Sequence, residues 1–180
     1  MWFTILGIFG FTLAELETML DLDDKTPYVT SLPLHRQSVA KYHCKIRIEK
    51  DWFHMLLDTG SSSMWVASNF VDKHKWGNKT LLDKGRANSL RISHDHFYQA
   101  YASNDVNGLK ATVDMQFGQM LVKNVPFGLV THGSQQVFED SFDGIFGLSR
   151  GPLHSLNTRT VLYFINQQDL VSQKFGFYFG

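Results

Sequence analysis

Between residues 44 and 130 short apolar or alternating runs are cut at close intervals by Gly, Asn and Asp, and this punctuation constrains the fold more than any other feature. Period-two patterning builds strands and gives a helix no continuous apolar stripe. Strands are predicted over 44–48, 53–57, 97–101, 109–117 and 120–130, with 174–179 alternating as a closing strand. Asn104-Asp105-Val106-Asn107-Gly108 is predicted to be a hairpin tip, because Asn and Gly adopt positive φ at low cost. One helix is expected, over 160–168, where Val161, Phe164 and Ile165 share a face and Leu162 lies beside them. The expected fold class is therefore all-β, a sandwich or barrel-like body with one short helix.

Composition sets the outer limits. At 180 residues, 43% apolar and 14% aromatic, the chain has enough material for one real core, which excludes a disordered tail or a disulfide-stapled miniprotein. Seventeen Lys and Arg balance seventeen Asp and Glu, so the basic excess that holds a phosphate backbone is missing and nucleic acid is not an expected partner. Eight His provide charge only as the pH falls below their usual range, which suits an acidic compartment. Cys44, the single cysteine, rules out an intrachain disulfide.

Residues 1–14 form an uncharged apolar run followed by Glu15, Glu17, Asp21, Asp23 and Asp24. A bilayer crossing takes roughly 20 residues, so no membrane span is expected here. A signal peptide over 1–14 is expected instead, with Thr12 and Ala14 as the small residues at its end, and 15–40 as a short leader or pro-segment remnant. The implied route is secretory, to the outside or to a lysosome, where Asn78 in Asn78-Lys79-Thr80 would accept a glycan.

Leu56-Leu57-Asp58-Thr59-Gly60-Ser61-Ser62 places an acid at the end of an apolar strand, just before a small polar turn. Burial disfavours an ionised carboxylate unless it is hydrogen-bonded or put to use. Gly60 lets other backbone approach, and Ser61 with nearby amides supplies donors for the carboxylate, an arrangement suited to activating water. Asp, Gly and Ser are also ordinary turn formers, so the residues that follow matter.

Ser63-Met64-Trp65-Val66 comes next, and the run from Asp58 to Val66 resembles the N-terminal active-site segment of pepsin-like aspartic proteases. Tyr101 with Gly108 seven residues on resembles that family's flap, the hairpin that folds over substrate. Phe142-Asp143-Gly144-Ile145-Phe146-Gly147-Leu148 is similar to the segment that crosses behind the catalytic loop, and Asn166-Gln167-Gln168-Asp169-Leu170-Val171-Ser172 to a short helix and turn late in the same lobe. The resemblance covers roughly 41–180 and implies one lobe of the pepsin-like fold, a six-stranded closed or partly open barrel. It further implies Asp58 as a catalytic carboxylate supported by Thr59, Gly60 and Ser61, and Tyr101 as flap tyrosine hydrogen-bonded to Trp65. Ile145 is implied near substrate, and no metal or other cofactor is needed.

Such enzymes hydrolyse peptide bonds with two aspartates that share a proton, one from each lobe, and only one Asp-Thr-Gly occurs here. The expectation is an aspartic endopeptidase acting on peptide or protein substrates, whose second carboxylate comes from a further lobe or from a second copy of the chain. A single-lobe pseudoprotease that binds peptide without cleaving it is the alternative. Glu49-Lys50-Asp51-Trp52 replaces the family's Gly-Thr-Pro turn, and Ala102 and Asn104 stand where flap glycines are usual. His94-Asp95-His96, with His43 and Cys44, offers zinc two imidazoles on one strand face but no third ligand at a persuasive spacing.

Overall fold

The period-two runs pair into one continuous sheet in the computed structural model, which describes residues 30–38, 41–70, 76–149, 160–168 and 175–179. The strands are β1 (His35–Arg36), β2 (Tyr42–Ile48), β3 (Asp51–Asp58), β4 (Met64–Ala67), β5 (Arg91–Ala100), β6 (Asp105–Phe117), β7 (Met120–Gly133) and β8 (Gly144–Gly147). Two short helices accompany them among the described residues, α1 (Gln135–Glu139) and α2 (Val161–Gln167).

Spatial order runs β1-β2-β3-β8-β4-β7-β6-β5, and β2 also pairs with β6 through Arg47↔Gln116 and Ile48↔Met115. That last pairing joins β2, β3, β8, β4, β7 and β6 into a closed ring of six strands, leaving β1 and β5 as flanking edges. The lobe is thus the all-β barrel that the patterning predicts.

Strand alternation sorts the apolar residues into two cores. Ile46, Ile48, Phe53, Met55, Met64, Val66, Val113 and Met115 fill the barrel. Trp65, Ala67, Trp76, Phe97, Val130, Phe142 and Ile145 form a second cluster on the other side of the same strands. Strand β4 feeds both, so all four of its residues are buried. Burial at about 25 cal/mol per Å² of apolar surface is the main force holding such a barrel closed.

The structure corrects the sequence reading in five places. The hairpin turns over 101–104, closed by Tyr101 N–H to Asn104 O at 2.7 Å, rather than over Asn104–Gly108. Gly108 is mid-strand opposite Phe97, and a Cβ there would strike the Leu129 carbonyl, so this glycine serves close strand approach and not a turn. Strand β5 begins at Arg91, earlier than predicted, because a mostly exposed edge strand needs no apolar alternation. Residues 175–179 lie outside the described strands, with Phe175, Tyr178 and Phe179 exposed and the Phe179 ring 4.8 Å from that of Tyr42. Helix α1 went unpredicted since it spans barely more than one turn and buries only Val137 among its described side chains. The helix predicted over 160–168 forms as α2, its Thr160 Oγ1 accepting from Tyr163 N–H at 3.2 Å as an N-cap. Residues 1–29, 150–159 and 169–174 contain the predicted signal peptide, most of the leader and the family-like turn after α2, and these lie outside the described residues.

Candidate active site

Asp58 is the last residue of β3, where the strand leaves the barrel. Strand β8 runs parallel beside it, pairing Asp58 with Gly147, while β4 returns antiparallel on the other side of β8. Three successive amides at the end of β8 then hold the intervening loop: Gly147 N–H to Ser63 O at 3.1 Å, Leu148 N–H to Asp58 O at 2.7 Å and Ser149 N–H to Ser61 O at 2.9 Å. The loop from Asp58 to Ser63 is therefore pinned at both ends by sheet backbone. Its middle stays open, with Thr59 and Gly60 exposed and Asp58 half-buried.

Asp58 Oδ1 accepts Gly60 N–H at 2.9 Å, a turn-closing bond that orients the carboxylate. The Ser61 hydroxyl is buried and makes no hydrogen bond of normal geometry in this state, although it lies close enough to Tyr101 to influence its phenol. The Trp65 indole Nε1–H donates to Tyr101 Oη at 2.8 Å, so the structure brings together Asp58, Ser61, Trp65 and Tyr101 beneath the 101–104 turn. Burial pushes the Tyr101 phenol well above its ordinary pKa, and the nearby Asp58 charge adds to that rise against the opposing Trp65 bond. Tyr101 is consequently a neutral hydroxyl at every working pH. Its oxygen accepts the indole N–H, and the phenol keeps its own O–H as a donor.

Ile145 is 5% exposed and packs with Trp65 and Phe142 in the second core, beside half-buried Leu56, its partner across β3 and β8. Asn78 is exposed in the turn after Trp76. The neighbouring Lys79 turns inward, donating to the carbonyls of Asp140 and Phe142 and lying 5.3 Å above the Phe142 ring.

Two features went unread in the sequence. Asp143, 4% exposed, accepts His54 N–H at 2.7 Å and Thr80 N–H at 2.8 Å through its two oxygens. Desolvation raises its pKa despite those bonds and the charges of His54 and Lys79. His35, His43 and His54 form a ladder across β1, β2 and β3, with ring centroids 5.3 and 5.1 Å apart. Burial, the other two imidazoles and Lys45 lower the His43 pKa, and Asp143 only partly opposes them. Both features depend on strand register, which residue spacing alone does not reveal.

His94 and His96 fall within the irregular, exposed part of β5, between the Ile92 and His96 pairings. Cys44 is fully buried in the barrel, its thiol pushed up to about 12 by desolvation. Among the described residues no group of three His, Cys, Asp or Glu is placed to hold a metal ion. No described helix is long and apolar enough to cross a membrane.

Residues 41–180 match the family model described as eukaryotic aspartyl protease. The chain is 30% identical to Pepsin B of Canis lupus familiaris over 130 residues, covering 71% of this chain and 33% of that protein. It is 27% identical to Pepsin A of Gallus gallus over 145 residues, covering 78% of this chain and 39% of the relative. With the Vacuolar aspartic protease of Candida albicans the identity is 26% over 167 residues, 87% of this chain and 40% of the other. The chain thus spans between a third and two fifths of the length of these relatives.

Proposed function

The chain belongs to the eukaryotic aspartyl protease family, and from that premise we propose that it supplies one half of an aspartic endopeptidase active site, with Asp58 as its catalytic carboxylate. The observation that carries this reading is the setting of Asp58: strand-end placement, a backbone amide on one oxygen, an open Thr59-Gly60 turn, and a hairpin tyrosine close enough to feel its charge.

Two carboxylates at close range cannot both ionise, so in the assembled site one is charged and one protonated. The charged one takes a proton from a water whose oxygen attacks the peptide carbonyl; the protonated one donates to the carbonyl oxygen as it becomes an oxyanion. Collapse of the tetrahedral adduct breaks the C–N bond as the amine gains a proton. Asp58 is one of the pair, and the other comes from a second lobe or a second copy of the chain. Thr59 and Gly60, exposed here, are the surface that meets the partner loop, and Ser61 supports the Asp58 carboxylate once that loop is in place. Tyr101, held by Trp65, donates from the flap toward substrate, while half-buried Leu56 beside Ile145 offers an apolar seat for a side chain next to the scissile bond.

The secretory reading accompanies this one: residues 1–14 as signal, 15–40 as leader and 41–180 as the protease lobe, with exposed Asn78 as glycan acceptor. The vacuolar label of the Candida albicans relative is compatible with it.

The test is cleavage of an apolar peptide at acidic pH by the full-length native protein. Asp58→Asn is expected to lower kcat by about 10²–10⁴-fold or more, the range for loss of a general acid or base. Cleavage that survives the substitution, or peptide binding without cleavage by the wild type, overturns the assignment.

A further inference from the structure

The hairpin of β5 and β6 is gripped by a row of inward side chains at alternate positions, Phe97, Gln99 and Tyr101. Strands β4 and β5 are not neighbours in the sheet, since β7 and β6 lie between them. Side chains at the start of β4 and the end of β5, including Ser63 just before the one and Tyr101 just after the other, nevertheless meet twice with the same spacing. Ser63 Oγ donates to Gln99 Oε1 at 2.9 Å, and Trp65 Nε1 donates to Tyr101 Oη at 2.8 Å, each pair 36 residues apart in sequence. One rung lower, Phe97 is 1% exposed and its ring occupies the space that a Cβ on Gly128 would need.

The three grips differ in kind. Phe97 is closed into the second core beside Val130 and Val106, so it is a fixed base. Tyr101 sits at the turn, where its bond to Trp65 is the last before the exposed residues Ala102 and Ser103. Gln99 lies between, opposite Val106 on β6, and its partner Ser63 belongs to the catalytic loop that Gly147 holds by backbone. Gln99 Nε2 donates to the Ala100 carbonyl at 2.9 Å, which orients the side-chain amide so that its Oε1 faces Ser63.

We propose that the Ser63–Gln99 hydrogen bond is the latch that fixes where the hairpin bends, making Gln99 a positioning residue for the flap. With the latch closed, only the turn beyond Gln99 lifts when Tyr101 leaves Trp65, and Tyr101 returns to the same place above Asp58. With the latch gone, the bend moves down to Phe97, and a longer arm swings with a less defined endpoint. As a role in peptide hydrolysis this rests on the proposed protease function; as a mechanical constraint it rests on the geometry of β4 and β5.

Amide hydrogen exchange on the full chain tests it without any need for catalysis. Ser63→Ala is expected to speed exchange at 100–105 by about two- to ten-fold, the worth of one net hydrogen bond, and Gln99→Leu, which also loses the donor to the Ala100 carbonyl, by at least as much, while Phe97 and Gly128 stay protected. The double variant should exchange no faster than Gln99→Leu alone, because Ser63→Ala removes a bond that Gln99→Leu already lacks. Gln99→Glu, which keeps an acceptor for the Ser63 hydroxyl but loses the donor to the Ala100 carbonyl, should exchange more slowly than Gln99→Leu. Additive effects, unchanged exchange in the single variants, or no rescue by glutamate would overturn the latch. A wild type that fails to cleave peptide removes the protease reading and leaves the exchange result to decide the latch.

Discussion

Replacing Asp143 by alanine should destabilise the lobe more than its distance from Asp58 suggests. The carboxylate is 4% exposed and each oxygen takes a backbone amide, His54 on β3 and Thr80 in the turn before β5. Its own backbone ties the same pieces, Asp143 N–H to His54 O at 2.8 Å and Ala67 N–H to Asp143 O at 3.0 Å. Alanine would keep the backbone bonds and orphan two amides, at about 1–3 kcal/mol each. Release from burying a carboxylate offsets part of this, which leaves a net loss of about 2–4 kcal/mol. With a urea slope of about 2–3 kcal/mol per M, the unfolding midpoint falls by about 1 M or more. The pH dependence provides an independent check. Because desolvation raises the folded pKa above the ordinary 3.8, the native state holds the proton more tightly than the unfolded chain. The stabilisation is complete below 3.8 and is lost as pH rises through the raised folded pKa. Asp143→Asn removes that dependence, and the wild-type minus variant difference isolates it from other groups. An unchanged urea midpoint in the alanine variant, or a wild-type pH slope retained in the asparagine variant, would mean that the Asp143 carboxylate does not hold these two amides in the folded lobe.

The histidine ladder should respond in the opposite direction. The His43 pKa is lowered from 6.5, so its contribution is present above 6.5 and is lost as pH falls through the depressed folded value. His43→Gln should flatten the fall in melting temperature over that interval, and NMR titration of His43 should show a midpoint below 6.5; a midpoint above it contradicts the ladder. Gly128→Ala should displace the Phe97 ring and lower stability by about 1–3 kcal/mol in urea unfolding, as overpacking does, whereas a neutral effect would mean that Phe97 moves freely. Cys44, buried and with its thiol near 12, should resist alkylation at pH 8 in the folded chain and react in urea; rapid labelling of native protein would place it elsewhere.

The parts of the fold that were legible in the sequence are those where local pattern and tertiary environment agree. In β2, alternation from Cys44 to Ile48 puts one face into the barrel, and β6 repeats the pattern over a longer span. Strand β4 has no alternation to read because both of its faces are buried, so only its motif marked it. Gly108 misled because glycine serves turns and close approach alike, and the sequence does not distinguish them. The run over 175–179 alternates like a strand, yet its rings stack on one another, Phe177 on Phe179 at 6.0 Å, without a described ladder beside it. At the site, Asp58 and its turn were readable since they are contiguous. Asp143, the histidine ladder and the Ser63–Gln99 bond join residues 36 or more apart, or neighbours across strands, and they exist only once register is set.

Whether Asp58 works as one of two coupled carboxylates is read from the pH profile of kcat/KM for peptide cleavage by the full-length protein. Two groups sharing one proton give a bell in the acidic range, with two apparent ionisations spread further apart than independent carboxylates would be. The wild type is expected to show that bell, and Asp58→Asn to lose it. A profile with a single ordinary carboxylate ionisation, or a bell that persists in the variant, would contradict this coupling.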